Sequence, residues 1–121
     1  MSYFEELPDQ CPPADATSLN GVFYRLVNKN NIVCDDFWSH RKIYPHKIFN
    51  VDECRVRSVS IFDNGDDCMK LTKLSLHKEK KVAEVTLNNT SGVAKRTGNE
   101  KSHYSWWRST NFNHIEQSRL A

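Results

Sequence analysis

Six consecutive residues, His103-Tyr104-Ser105-Trp106-Trp107-Arg108, set four rings and a guanidinium side by side. Rings and arginines are the side chains enriched where a protein meets another macromolecule, the rings because each covers a large area with few rotors to freeze and arginine because its planar fork donates several hydrogen bonds at once. If the stretch is extended, Tyr104, Trp106 and Arg108 share one face while His103, Ser105 and Trp107 share the other, so the adjacent tryptophans cannot enter one core. Grouping Arg108 with solvent or ligand makes Tyr104, Trp106 and Arg108 the exposed set. His103 and Trp107 complete the candidate binding residues.

Three other constellations have chemistry to weigh. Lys95, Arg96, Lys101 and Arg108 lie close in sequence to Tyr104, Trp106, Trp107 and Phe112. That is the composition of a single-stranded nucleic-acid groove, in which cations follow phosphates and each stacked base contributes about 1–3 kcal/mol. Cys34, His40, His46 and Cys54 follow one another with spacers of five, five and seven residues. These are wider than the roughly two to four residues that bring paired ligands of a structural zinc site onto one ion, so no metal is expected. In Asp63-Asn64-Gly65-Asp66-Asp67 the acidity suits calcium, but Cys68 and Leu74 stand where an EF-hand loop needs glycine and glutamate, which leaves a turn into a helix. No phosphate-cradling glycine loop, nucleophile elbow or paired-histidine metalloprotease motif occurs.

The elements that must carry these residues follow from pattern. Pro8, Pro12 and Pro13 make residues 1–20 an extended N-terminal arm, with Tyr3, Phe4 and Leu7 available to pin it to the body. Asn20-Gly21 turns into Val22-Phe23-Tyr24-Arg25-Leu26-Val27, whose β-branched and aromatic content predicts a central strand. Arg25 is out of place there, since a guanidinium in an apolar strand needs a carboxylate, a phosphate or an edge position. A short helix over residues 37–42, capped by Asp35 or Asp36, a strand over 55–62 and a helix from Asp66-Asp67 through Leu74 come next. Alternation in 82–87 and 92–97 gives two further strands, and 103–108 a fifth. Residues 111–120 read as a short helix or a tail.

Size and composition bound the rest. A chain of 121 residues with 38% hydrophobic, 26% charged and 11% aromatic residues is one globular domain, here residues 21–121. The fold expected is α+β, a small curved, mostly antiparallel sheet of about five strands with two or three short helices. The net charge of +2 is too small to imply nucleic acid by itself, yet residues 1–36 carry two basic and six acidic groups while the remainder carries fifteen and nine. The N-terminus lacks the basic and apolar regions of a secretory signal, so a reducing, cytoplasmic setting is expected, with Cys11, Cys34, Cys54 and Cys68 as free buried thiols. No run reaches the apolar length of a membrane span.

An early strand with Phe23-Tyr24-Arg25, then Arg57-Ser58-Val59-Ser60-Ile61-Phe62 followed by turn and helix, then further strands, resembles the element order of a very small ADP-ribosyltransferase or a related NAD-consuming toxin domain. The resemblance covers about residues 21–108. It implies that Arg25 grips an NAD phosphate, that Ser60 belongs to the serine motif shaping the nicotinamide pocket, and that NAD is a substrate rather than a bound cofactor. It also implies a glutamate at the start of a late strand, a place that neither Glu100 nor Glu116 fills. Pairing of Arg25 with Glu84 or an N-terminal carboxylate is the structural alternative.

Three functions follow from these residues. The chain is a small intracellular protein that binds a macromolecule, a protein partner foremost, through residues 103–108. Alternatively it is an ADP-ribosyltransferase-like or NAD-glycohydrolase enzyme using Arg25 and Ser60. As a third reading, it binds single-stranded nucleic acid through its basic C-terminal part.

Overall fold

The β-branched and aromatic run after Asn20 forms the seven-residue strand β1, Gly21–Val27, in the computed structural model, which describes residues 1–28 and 30–121. The 3-10 turn Cys34–Phe37 and helix α1, His40–Ile43, follow, the latter capped by Ser39, whose side chain accepts from the Lys42 amide. Helix α2 spans Glu53–Val56, strand β2 Val59–Phe62 and helix α3 Gly65–Lys70. Strands β3, Lys81–Leu87, β4, Gly92–Arg96, and β5, His103–Arg108, precede helix α4, His114–Gln117, and the short strand β6, Ser118–Leu120. The fold is α+β as the composition implies, with one strand and one helix more than the pattern shows.

The strands form one antiparallel sheet in the order β4-β5-β2-β1-β3-β6, so β1 is central. Its two edges are unequal. Toward β3 it is paired from Gly21 opposite Leu87 to Val27 opposite Lys81, whereas toward β2 the only paired position is Tyr24 opposite Phe62. Past that point β1 and β2 part, and the backbone groups on either side of the gap need partners from elsewhere.

Both sheet faces are covered. One carries the main core of Phe23, Phe37, Val59, Ile61, Val85, Leu87, Ala94, Trp106 and Phe112. The second carries a smaller cluster of Phe62, Cys68 and Val82, over which α3 packs. Trp107 also points to this side and donates through Nε1 to the Cys54 carbonyl, 2.8 Å away, which fixes α2 against the sheet.

Three expectations are corrected. Residues 55–58 are not strand: Asp52 caps α2 by accepting from the Arg55 amide, and this local cap prevails over a β-prone sequence. Two of the four thiols are not free, since Cys11 and Cys54 form a disulfide; Cys34 and Cys68 are free. The four free thiols expected of a reducing setting are thereby cut to two. Third, the exposure expected of Trp106 and Arg108 is absent, because both are buried. No helix among the described residues is long and apolar enough to cross a membrane.

The N-terminal arm is extended and fastened along the body. Tyr3 bridges to Ser109 and Thr17 to Ala94, the Glu5 carboxylate accepts from the Ser39 amide and hydroxyl, and Arg57 donates to the Glu6 carbonyl.

Candidate functional site

The gap between β1 and β2 is filled by Arg25. Its Nη1 donates to the Ser60 carbonyl and its Nε to the Asp36 carbonyl, each at 2.7 Å, so the guanidinium stands in for ladder hydrogen bonds that the parted strands cannot make. Asp36 is itself fixed, its carboxylate accepting from the Asn28 and Val33 amides. Glu84, the alternative partner, is instead engaged by Arg119. Burial pushes the Arg25 guanidinium down to about 10, opposed by the nearby Asp36 charge, which leaves it a cation at neutral pH.

Arg25 and Ser60 share the wall of a cavity of about 320 Å³ that opens at this split. That is the lower end of the roughly 300–1,000 Å³ range of small-molecule sites. Trp38 and Phe49 supply flat apolar walls, the Phe49 ring lying stacked on His40 at 6.0 Å. Arg55, Lys80, His40, His77 and His103 supply polar groups, and no Asp or Glu is among the described lining residues. The cavity is therefore cationic.

The histidines respond to that environment. His40 lies below the ordinary imidazole range, through burial first and then through Arg25, Lys47 and Lys80; His77 is lowered by burial and by Lys80. His103 is lowered by burial and by Arg55 and Arg25, against a hydrogen bond to Thr97 that favours its charged form. All three are neutral at neutral pH. Trp38 Nε1 and His77 Nδ1 are buried with no hydrogen-bond partner among the described residues. No three of the His, Cys, Asp and Glu side chains among the described residues converge in a way that would hold a metal ion.

The candidate binding residues of β5 are divided by the sheet. Trp106 belongs to the main core, its Nε1 donating to the Ser91 carbonyl at 3.1 Å. Arg108 is buried beside Phe4, 3.9 Å from its ring centroid. Tyr104 is half-buried, covered by the Arg96 guanidinium at 4.7 Å. Trp107 is buried against α2, and only His103, with Ser105, reaches the cavity. Of the residues singled out from sequence, Arg25, Ser60 and His103 are thus brought together. Trp38, His40, Phe49, Arg55, His77 and Lys80 were not singled out for this site, because they come from segments with no motif of their own.

No family model, curated protein or solved structure matches the chain.

Proposed function

We propose that the cleft at the β1–β2 split binds NAD and that the chain is an ADP-ribosyltransferase-like enzyme cleaving the nicotinamide glycosidic bond. The observation that carries this reading is that Arg25 and Ser60, 35 residues apart in sequence, line one cationic, ring-walled cavity, with Arg25 Nη1 donating to the Ser60 main-chain carbonyl at 2.7 Å. An arginine held by two carbonyls is pre-oriented toward a phosphate, and Arg55 and Lys80 add positive charge for the second phosphate of a dinucleotide. Trp38 and Phe49 give the wall its aromatic character, although Lys42 lies over the Trp38 ring at 4.7 Å and Arg41 and Lys47 lie over the Phe49 ring at 5.1 and 5.3 Å. The volume suits the nicotinamide riboside half of the ligand, with the remainder lying across the open mouth.

The reading as a macromolecule-binding surface has less behind it, since Trp106, Trp107 and Arg108 are turned inward. A nucleic-acid groove has less still: Lys95 is paired with Asp15, and Arg96 with Asp63.

NAD titrated calorimetrically into the protein, with nicotinamide release followed in parallel, tests the proposal. Wild type is expected to bind NAD and release nicotinamide. Arg25→Lys, which keeps a cation but not the forked donor geometry, is expected to weaken NAD binding by about tenfold or more. A wild-type protein that neither binds NAD at millimolar concentration nor releases nicotinamide would overturn it.

A further inference from the structure

We infer that His103 is the catalytic base of this cleft, accepting through Nε2 the proton of the water or hydroxyl that attacks C1′ of the nicotinamide ribose. The inference rests on the NAD reading above and adds the group which that reading lacks.

His103 opens β5, and its register partner is Phe62 at the end of β2, so the sheet itself sets it beside the split. Its Nδ1 lies 2.9 Å from the Thr97 carbonyl. A carbonyl only accepts, so Nδ1 carries the hydrogen of the neutral ring and Nε2 keeps its lone pair. The same Nδ1 is 3.2 Å from the Thr97 hydroxyl, which in turn shares a 2.7 Å hydrogen bond with the Ser105 hydroxyl. The Phe62 ring meets the imidazole edge-on at 5.2 Å. Tautomer and ring orientation are therefore fixed by the protein, and Nε2 is the nitrogen left for the cleft that His103 lines.

The charges around it keep it a base. Arg25 from β1 and Arg55 from α2 act on the ring, and both disfavour the imidazolium. A Cβ built on Gly98, in the β4–β5 loop, would lie 3.3 Å from His103 Nδ1 and 3.5 Å from Arg55 Nη2, so the guanidinium and the imidazole flank one point. The other titratable groups of the wall are His40, His77 and Lys80, none of which is a carboxylate that would hold the proton on His103. Bound phosphates would offset part of this positive field and make the proton acceptable during the reaction.

The step balances without another reagent. As the C1′–N bond of NAD breaks, its electron pair passes into the pyridinium ring and neutral nicotinamide leaves. The incoming oxygen bonds C1′, and its proton goes to His103 Nε2 and then to solvent. With water the products are ADP-ribose, nicotinamide and a proton.

His103→Asn tests the assignment, because its amide nitrogen can still donate to the Thr97 carbonyl while the Nε2 lone pair is gone. NAD affinity is expected to stay within about threefold of wild type, while nicotinamide release falls by roughly 10²–10⁴-fold, the usual share of a general base. In wild type the release rate is expected to climb tenfold per pH unit in acid and level off below the ordinary histidine value of 6.5; in His103→Asn that dependence disappears. A variant as fast as wild type with the same pH profile overturns the base alone. Wild type releasing nothing at any pH overturns the NAD reading and the base together. A wild-type rate with no acid limb at any pH at which the protein stays folded overturns the base even where the variant folds poorly.

Discussion

Arg25 and Arg108 are both arginines on strands, and their surroundings give them opposite meanings. Arg25 was conspicuous in the sequence, since a cation in an apolar strand has to be accounted for, and the structure accounts for it with two carbonyls and the Asp36 charge. Arg108 offered no such signal. Alternation along 103–108 separates two faces of the strand but does not say which face is core, and here both are covered. Arg108 lies between Phe4 and Phe112, donates through Nη2 to the Phe112 carbonyl at 3.4 Å, and has Nε and Nη1 without partners among the described residues. Burial holds its guanidinium below the usual arginine range. Cys34 and the Glu5 charge offset part of that burial, and the side chain contributes chiefly through the packing of its stem and planar head against the two rings. Arg108→Met, which keeps the volume and removes the charge, is expected to stay within about 1 kcal/mol of wild type or to exceed it, whereas Arg108→Ala costs about 3 kcal/mol through the space it leaves between the rings. Urea denaturation of the two variants checks this, and equal losses in both would show that the charge itself is needed.

At the scale of elements, the legible parts were those fixed by neighbours in sequence. Alternation marked β3 through Ala83, Val85 and Leu87, all buried, and the Asp66-Asp67 signal marked α3, although the cap is Asn64. The second half of α2, Arg55 and Val56, reads as the start of a strand because a four-residue helix has no periodicity to show, only its Asp52 cap. The split between β1 and β2, on which the site depends, was not legible at all. It arises from how far two strands distant in sequence remain paired, and each strand looks the same whether or not its partner follows it. The β4–β5 pair has a more local determinant. Gly92 opens β4 at φ +124°, opposite Arg108, where an added Cβ would stand 2.2 Å from the Trp107 carbonyl oxygen. Gly21 opens β1 at a nearly equal φ of +122° with nothing within 4 Å of the same point. Alanine at either position meets the backbone penalty, about 1 kcal/mol, but only Gly92→Ala also forces the hairpin apart. Gly92→Ala is therefore expected to cost about 3 kcal/mol and Gly21→Ala about 1 kcal/mol by chemical denaturation, and equal costs would locate the effect in φ alone.

Across the whole molecule, the acidic N-terminal arm lies over a body of opposite charge, an asymmetry visible in the sequence before any fold. The contacts that hold it are individually weak. Asp15 with Lys95 is an exposed pair at 3.0 Å, and solvent screening leaves such pairs little to contribute. The Cys11–Cys54 bond is of another order, because it closes a loop across 43 residues. Restricting an unfolded chain over that length is worth about 4 kcal/mol in the loop-entropy treatment, a large fraction of the roughly 5–15 kcal/mol by which a domain of this size is stable. Cys54 is also the residue whose carbonyl accepts from Trp107, and Arg55 and Val56 follow it on the cavity wall, so the bond ties the arm to α2, which lines the site. Two consequences should therefore appear together in the Cys11→Ser/Cys54→Ser protein, or in wild type under a thiol reductant. The free energy of unfolding in urea is expected to fall by about 2–4 kcal/mol. Ligand affinity at the cleft is expected to weaken, since α2 loses its covalent anchor while Arg25 and Ser60 stay held in the sheet. An unchanged urea midpoint would show that the arm is held by its backbone bridges at Ser109 and Ala94, and an unchanged affinity that the bond is incidental to the site as well.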